Sequence, residues 1–297
     1  MSQTLEVLSR RMTTLQSIRG VVRTMKTLSA VNAAPYEAAA VAIDRYHATI
    51  LDGLHLLIQT ADFPAPPDQI PSAPGIMVVF GSDHGLCGGY NEGIAESAVT
   101  RIGDEAWTVF SVGAKIQAAL QDRGFAPGRH FHPPASPDGI GRLAAELLIA
   151  LDQSQTTSRR AQQVLMTHVP LDKGSGRQPT VTPLLPLDPD LLRDLAERPW
   201  ESRTLPLVTM PPEAMFAALV RNHLFASVFR AAAEAMAMEN AARLALMQQA
   251  ERELNDRLDE LLQTTRSARQ SAVTSELLDV IAGFEALRKT RPRPEAE

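Results

Sequence analysis

The sequence predicts an α/β protein in which a long helix at each end of the chain pairs into an antiparallel coiled coil, with a domain of alternating strands and helices inserted between them. Three observations predict it. From Pro212 to Leu287 there is no internal proline and a single glycine, Gly283, while Met247, Ala250, Leu254, Leu258, Leu261, Thr265, Ala268 and Ala272 recur at steps of three or four. At 1.5 Å per residue such a helix runs on the order of 100 Å, so its apolar seam needs a partner along its length. The partner is the other terminus, where Leu5, Leu8, Met12, Leu15, Ile18, Val22 and Met25 repeat the same spacing. Between the two lie short apolar runs separated by turn residues, the pattern of buried strands in a parallel sheet.

Taken in order, residues 1–60 form the first coiled-coil helix, whose periodicity resumes at Ile43, Ile50, Leu54 and Leu57 after Pro35. Pro35 lacks an amide donor and its ring crowds the preceding turn, so a kink is expected there. Residues 61–74 carry Pro64, Pro66, Pro67, Pro71 and Pro74 and read as a stiff linker. The inserted domain, 75–190, opens with the strand Ile76-Met77-Val78-Val79-Phe80 and the glycine-rich turn Gly81 to Gly89. A helix over Asn91–Arg101, a strand over Trp107–Val112, a helix over Lys115–Arg123, a helix over Ile140–Leu151 and a strand over Gln163–Val169 follow. Pro179–Leu187, with its prolines, is expected as an edge strand or extended return segment. Residues 191–211 are a connector with a short helix at Leu191–Glu197, residues 212–287 the second coiled-coil helix, and residues 288–297 a disordered tail.

Composition narrows the class. Hydrophobic residues make up 44% of the 297, yet aromatics only 5%, and small side chains suit close helix contacts better than a deep cofactor pocket. A net charge of −5 argues against a nucleic-acid binder, which would show a basic patch. The exception is the segment Met1–Ala30, where Arg10, Arg11, Arg19, Arg23 and Lys26 face only Glu6, so this end suits an acidic partner surface. The single cysteine, Cys87, excludes an internal disulfide and a cysteine cluster. No apolar run reaches 18 residues and the first residues lack a signal peptide's apolar core, so a cytoplasmic protein is expected.

The sites that could carry chemistry are weak. Gly81-Ser82-Asp83-His84-Gly85-Leu86-Cys87-Gly88-Gly89 stands where a phosphate loop would, between a strand and a helix. It matches neither a Walker loop nor GxGxxG, which leaves packing or a protein contact as its role. Ser82, Asp83 and His84 are adjacent, whereas a catalytic triad converges from separate elements. His130-Phe131-His132 has metal-ligand types, but no neighbouring carboxylate or cysteine completes a set, and it reads as a solvated loop. No cofactor, metal or catalytic residue is expected. More informative are polar residues in the C-terminal helix, Arg243, Arg269, Gln270, Thr274 and Glu276, which are either solvated surface or a docking face for another protein.

Four segments resemble the gamma subunit of F-type ATP synthases. They are Ile18–Ala30 (IRGVVRTMKTLSA), Asp83–Asn91 (DHGLCGGYN), Pro183–Leu187 (PLLPL), and the pair Glu239–Ala250 (ENAARLALMQQA) with Ala268–Gly283 (ARQSAVTSELLDVIAG). They span nearly the whole chain in the family's order. The resemblance implies a non-catalytic central-stalk rotor whose terminal helices turn inside a ring of alternating alpha and beta subunits. Its inserted Rossmann-like α/β domain would sit near the epsilon subunit and the membrane c-ring, at the cytoplasmic face of the bacterial inner membrane. It further implies subunit contacts at Arg269, Gln270, Thr274 and Glu276, at Arg243 lower on the same helix, and at Met25 on the first arm. VNAAPYEAA replaces the family's basic continuation of that arm, and His84 stands where an Arg is usual. The segment TMKTLSAV with Tyr36-Glu37 is similar to a sodium-pumping subgroup, and the coupled ion, proton or sodium, stays open. The competing readings are a Rossmann-like nucleotide-dependent enzyme with helical arms and a coiled-coil adaptor.

Overall fold

A computed structural model of the chain describes residues 2–60, 75–103, 105–157, 163–171, 178–200, 202, 204 and 206–289. The elements are α1 (Ser2–Thr60), β1 (Ile76–Phe80), α2 (Tyr90–Ile102), β2 (Thr108–Val112), α3 (Ala114–Gln121) and β3 (Arg129–Phe131). After a 3₁₀ turn at Pro137–Gly139 come α4 (Ile140–Thr157), β4 (Val164–His168), β5 (Thr180–Leu185), α5 (Pro189–Glu197) and α6 (Pro212–Lys289). The expected linker at 61–74 and the tail from residue 290 lie outside the described residues. Contacts divide the chain into two units, one joining the residues up to Thr27 with those from Met247 onward, the other formed by Leu28–Leu246.

In the first unit the two helices are antiparallel, since Arg19 meets Asn255 while Arg23 and Lys26 meet Glu251. Leu8, Val22, Met247 and Leu258 are the buried side chains of its seam. One sequence expectation is corrected here. Ile18 is 44% exposed, and Arg19 takes the seam position, its Nη1 3.3 Å from Asn255 Oδ1. Steps alternating three and four lead from Leu15 to Arg19 to Val22, and Ile18 falls one position off that row.

In the second unit a five-stranded sheet runs in the order β3-β2-β1-β4-β5. The first four strands are parallel and β5 pairs antiparallel with β4. β1 and β4 are buried along their whole length, which is why they read as continuous apolar runs and not as alternating ones. One face packs Ile76, Val78, Phe80 and Phe110 against Ile140, Leu143 and Leu147 of α4 and Val228 and Ala231 of α6. The other packs Met77, Val79 and Val109 against Ile94 and Ala98 of α2 and Ile116 and Leu120 of α3. A smaller cluster, Ile50, Leu54 and Leu195, seats α5.

The strand β3 replaces the loop expected at His130-Phe131-His132. Three residues with a single apolar side chain carry no periodic signal, and pairing of Phe110 with Arg129 and of Val112 with Phe131 makes the strand. Helix α1 continues through Pro35. The carbonyl one turn back, which proline leaves without a donor, belongs to Val31, whose residue is 64% exposed and open to water. The next residue, Tyr36, is buried and its hydroxyl donates to Pro134 O at 3.2 Å.

Candidate interaction site

The glycine-rich turn after β1 is a closed, hydrogen-bonded structure. Asn91 at the start of α2 accepts from the Ser82 amide through Oδ1 at 2.9 Å and donates Nδ2 to Ser82 Oγ at 2.8 Å. Ser82 Oγ donates in turn to His84 O at 2.9 Å, and Cys87 is buried beneath the turn. Leu86 and Gly88 both have φ near 63°, the left-handed conformation that tightens the turn. Gly113, at φ 113°, lets β2 pass beside it: a Cβ there would lie 2.5 Å from Ser82 O. The hydroxyl of Ser82 is thus spent on holding the loop, and Ser82, Asp83 and His84 do not converge as a triad.

Arg243 of α6 fastens this turn. Its Nη2 pairs with Glu239 Oε1 at 2.5 Å, its Nε donates to Gly85 O at 3.2 Å and its Nη2 to His84 O at 3.4 Å. Asn240 Oδ1 lies 3.5 Å from Nη1, and the Asn240 amide donates to Met236 O. Both members of the ion pair are more than nine-tenths buried. Burial pushes the Glu239 carboxyl above its ordinary range, and Arg243 only partly opposes that. Tyr90 adds a second link to α6, donating its hydroxyl to Ala235 O at 2.8 Å. Glu239 and Asn240 precede Arg243 by four and three residues, so all three share a helix face. That spacing was the available signal for a clamp the sequence reading did not draw.

The other expected contact residues stand differently. Met25 is half-buried in the first unit, on α1 between Arg23 and Lys26. Those two cations converge on Glu251, at 2.7 and 2.5 Å, and their hydrogen bonds hold its carboxyl below the usual range. Arg269, Gln270, Thr274 and Glu276 are all exposed on α6. Thr274 Oγ1 donates to Gln270 O one turn back, at 3.0 Å. Around them Val273, Leu277, Leu278, Val280 and Ile281 are each more than half exposed. The end of α6 therefore presents directional polar groups among uncovered aliphatic ones, the composition of a protein-binding face.

Two buried polar groupings escaped sequence reasoning because each depends on the register between elements. His47 Nε2 and His223 Nδ1 are 2.8 Å apart, joining α1 to α6. Burial, then the neighbouring His47, pushes His223 down to about 4. Burial and then Arg230 lower His47 as well. His168 of β4 bonds Glu234 Oε2 at 2.9 Å, and Arg230 Nε bonds the other oxygen at 3.0 Å. Burial alone would raise the Glu234 carboxyl, but the two hydrogen bonds outweigh it and hold it low. A third grouping joins Asp83, His130 and His132, whose donor atoms all lie within 4.8 Å of one another. The carboxylate missing from the local sequence comes from the loop after β1, two strands away in the sheet.

A family model described as ATP synthase matches residues 4–287. The ATP synthase gamma chain of a Synechococcus species is 30% identical to this chain, over 96% of it and 99% of that protein. That of Lachnoclostridium phytofermentans is 25% identical, over 94% and 98%. Among solved structures, a chain of the Euglena gracilis mitochondrial ATP synthase, in an OSCP/F1/c-ring assembly, superposes with TM-score 0.66 at 16% identity, covering 100% of this chain and 99% of that one. A chain from the central stalk and c-ring of the Tetrahymena thermophila mitochondrial enzyme gives TM-score 0.51 at 16% identity, over 77% and 99%.

Proposed function

This chain belongs to the family of ATP synthase gamma chains, and on that premise we propose that its paired helices carry torque by presenting the exposed end of α6 to the catalytic ring. It is a central-stalk subunit of a rotary ATP synthase and a non-catalytic part of that complex. Its partners are the alpha and beta subunits, the epsilon subunit and the membrane c-ring. It is peripheral to the membrane, and no helix among its described residues is long and apolar enough to cross one. The face of the membrane it serves is the cytoplasmic face of the bacterial inner membrane.

The observation that supports the contact reading is the row of exposed aliphatic side chains from Val273 to Ile281 around Arg269, Gln270, Thr274 and Glu276. A helix end that uncovered is costly in water and is relieved by a surrounding partner. Arg269 and Gln270 supply hydrogen bonds to the beta subunit, with Thr274 and Glu276 in the same face. Such polar contacts are individually weak, so they break and re-form as the shaft turns between equivalent positions. Met25, beside Arg23 and Lys26 where they meet Glu251, is a further subunit contact on the first arm. Arg243, being buried, serves the contact through the turn that it holds. The domain division that goes with this reading takes residues 1–60 and 212–287 as the coiled-coil helices, 61–74 as linker, 75–190 as the α/β domain, 191–211 as connector and 288–297 as tail.

Co-expression with the alpha and beta subunits of the same organism tests the assignment. A stable complex holding one copy of this chain per six large subunits, with ATP hydrolysis that depends on it, is the expected result. A chain that stays apart from them, while alpha and beta behave identically in its absence, would overturn it.

A further inference from the structure

We propose that Asp83, His130 and His132 form a binding site for a divalent transition-metal ion of the Zn²⁺ class, with three protein ligands and an open position for water. All three lie at the carboxyl ends of parallel strands, where open α/β sheets place their ligands. Asp83 follows β1, His130 is in β3 and His132 lies one residue beyond it, so the site bridges the glycine-rich turn and the edge of the sheet. Two imidazoles and one carboxylate are a ligand set common to catalytic zinc centres, which keep a fourth position open.

The geometry is near what such an ion needs. Asp83 Oδ1 is 3.7 Å from His132 Nδ1, and the rings of His130 and His132 stand 4.6 Å apart at 89°. Ligand bonds of about 2.0–2.2 Å in a tetrahedron put donor atoms roughly 3.3 Å from one another. All the donor atoms already lie within 4.8 Å of one another, and His132, whose side chain is 74% exposed, has room to adjust toward the other two.

The other two ligands are already oriented. Asp83 Oδ1 accepts from the Ala114 amide at 2.9 Å, which fixes the carboxylate over the start of α3. Ser111, wholly buried in β2, stands with Oγ 3.1 Å from His130 Nδ1 and 3.5 Å from Arg129 O. A serine that gives its proton to that carbonyl accepts Nδ1–H, which holds the ring and leaves the Nε2 lone pair for a metal. This is the outer-shell arrangement that metal-binding histidines commonly have. An ordinary surface ion pair of His132 with Asp83 requires neither His130 nor Ser111.

The test is a titration of the purified full chain with Co²⁺, followed by the visible absorption of the bound ion and then by displacement with Zn²⁺. One saturable equivalent is expected, with Zn²⁺ raising the thermal midpoint of the chain. His132→Gln, at an exposed position, should keep the far-ultraviolet circular dichroism and the metal-free midpoint while weakening Co²⁺ at least tenfold. Ser111→Ala should weaken it by about 10-fold without changing the shape of the band. Absence of a saturable equivalent, or an equivalent unmoved by His132→Gln and by Asp83→Asn, would overturn the proposal.

Discussion

Arg243 shows how one side chain ties a long helix to a loop. Its partner Glu239 is buried with it, and the turn offers only carbonyl oxygens at Gly85 and His84. Removing the guanidinium leaves a buried carboxylate and the Gly85 carbonyl without their partner, while His84 O keeps its bond from Ser82 Oγ, so Arg243→Ala is expected to cost ~3–5 kcal/mol. Denaturant unfolding of the isolated chain measures this, and a loss under 1 kcal/mol would show that the clamp is incidental. The histidine pair gives a second expectation at this scale. His223 is held near 4 in the fold against about 6.5 in the unfolded chain. Between those values the unfolded chain binds a proton that the folded one does not, so stability falls as pH drops through the window and levels off below it. The full loss is about 3 kcal/mol for a shift of that size. Urea titrations from about pH 7.5 to about pH 4 should show the decline, and His223→Gln should flatten it.

At the scale of elements, the exposed end of α6 is separable from the fold. Arg269 and Gln270 are solvated, so the double substitution Arg269→Ala, Gln270→Ala should change stability by no more than about 0.5 kcal/mol. Its effect belongs to the complex, where ATP hydrolysis coupled to ion transport should fall; unimpaired rotation and coupling would remove these residues from the contact. The elements also divide by how well the sequence announced them. The seams of α1 and α6 and the runs Ile76–Phe80 and Val164–His168 were legible because burial on one face, or on two, leaves its own period in the residues. Ile18 and Arg19 mark the limit, since a one-position choice depends on the partner helix and not on local pattern. Arg129–Phe131 was illegible because pairing with β2, not composition, makes it a strand. Asp83 and the two histidines could not be joined in advance for the same reason, as only the strand order β3-β2-β1 brings them together. The exposure of Arg269 and Gln270 followed from the helix period, whereas the burial of Arg243 required the turn that covers it.

At the scale of the whole molecule the two units are unequal in what they bury. Leu28–Leu246 encloses the sheet between apolar layers, while among the described residues of the other unit only Leu8, Val22, Met247 and Leu258 are buried. Stability should be distributed accordingly. In hydrogen exchange of the isolated chain, amides before Thr27 and after Met247 should exchange well ahead of those in β1 and β4, and assembly with the alpha and beta subunits should slow them. Equal protection in both units of the free chain would contradict this. The central claim, that the chain turns within the ring, is tested most directly by watching it. Arg101→Cys places an exposed thiol at the end of α2, while Cys87 stays buried, so a probe can be attached there in a complex immobilised through its beta subunits. The account predicts unidirectional rotation of the probe on addition of ATP; steady ATP hydrolysis with a stationary probe would contradict it.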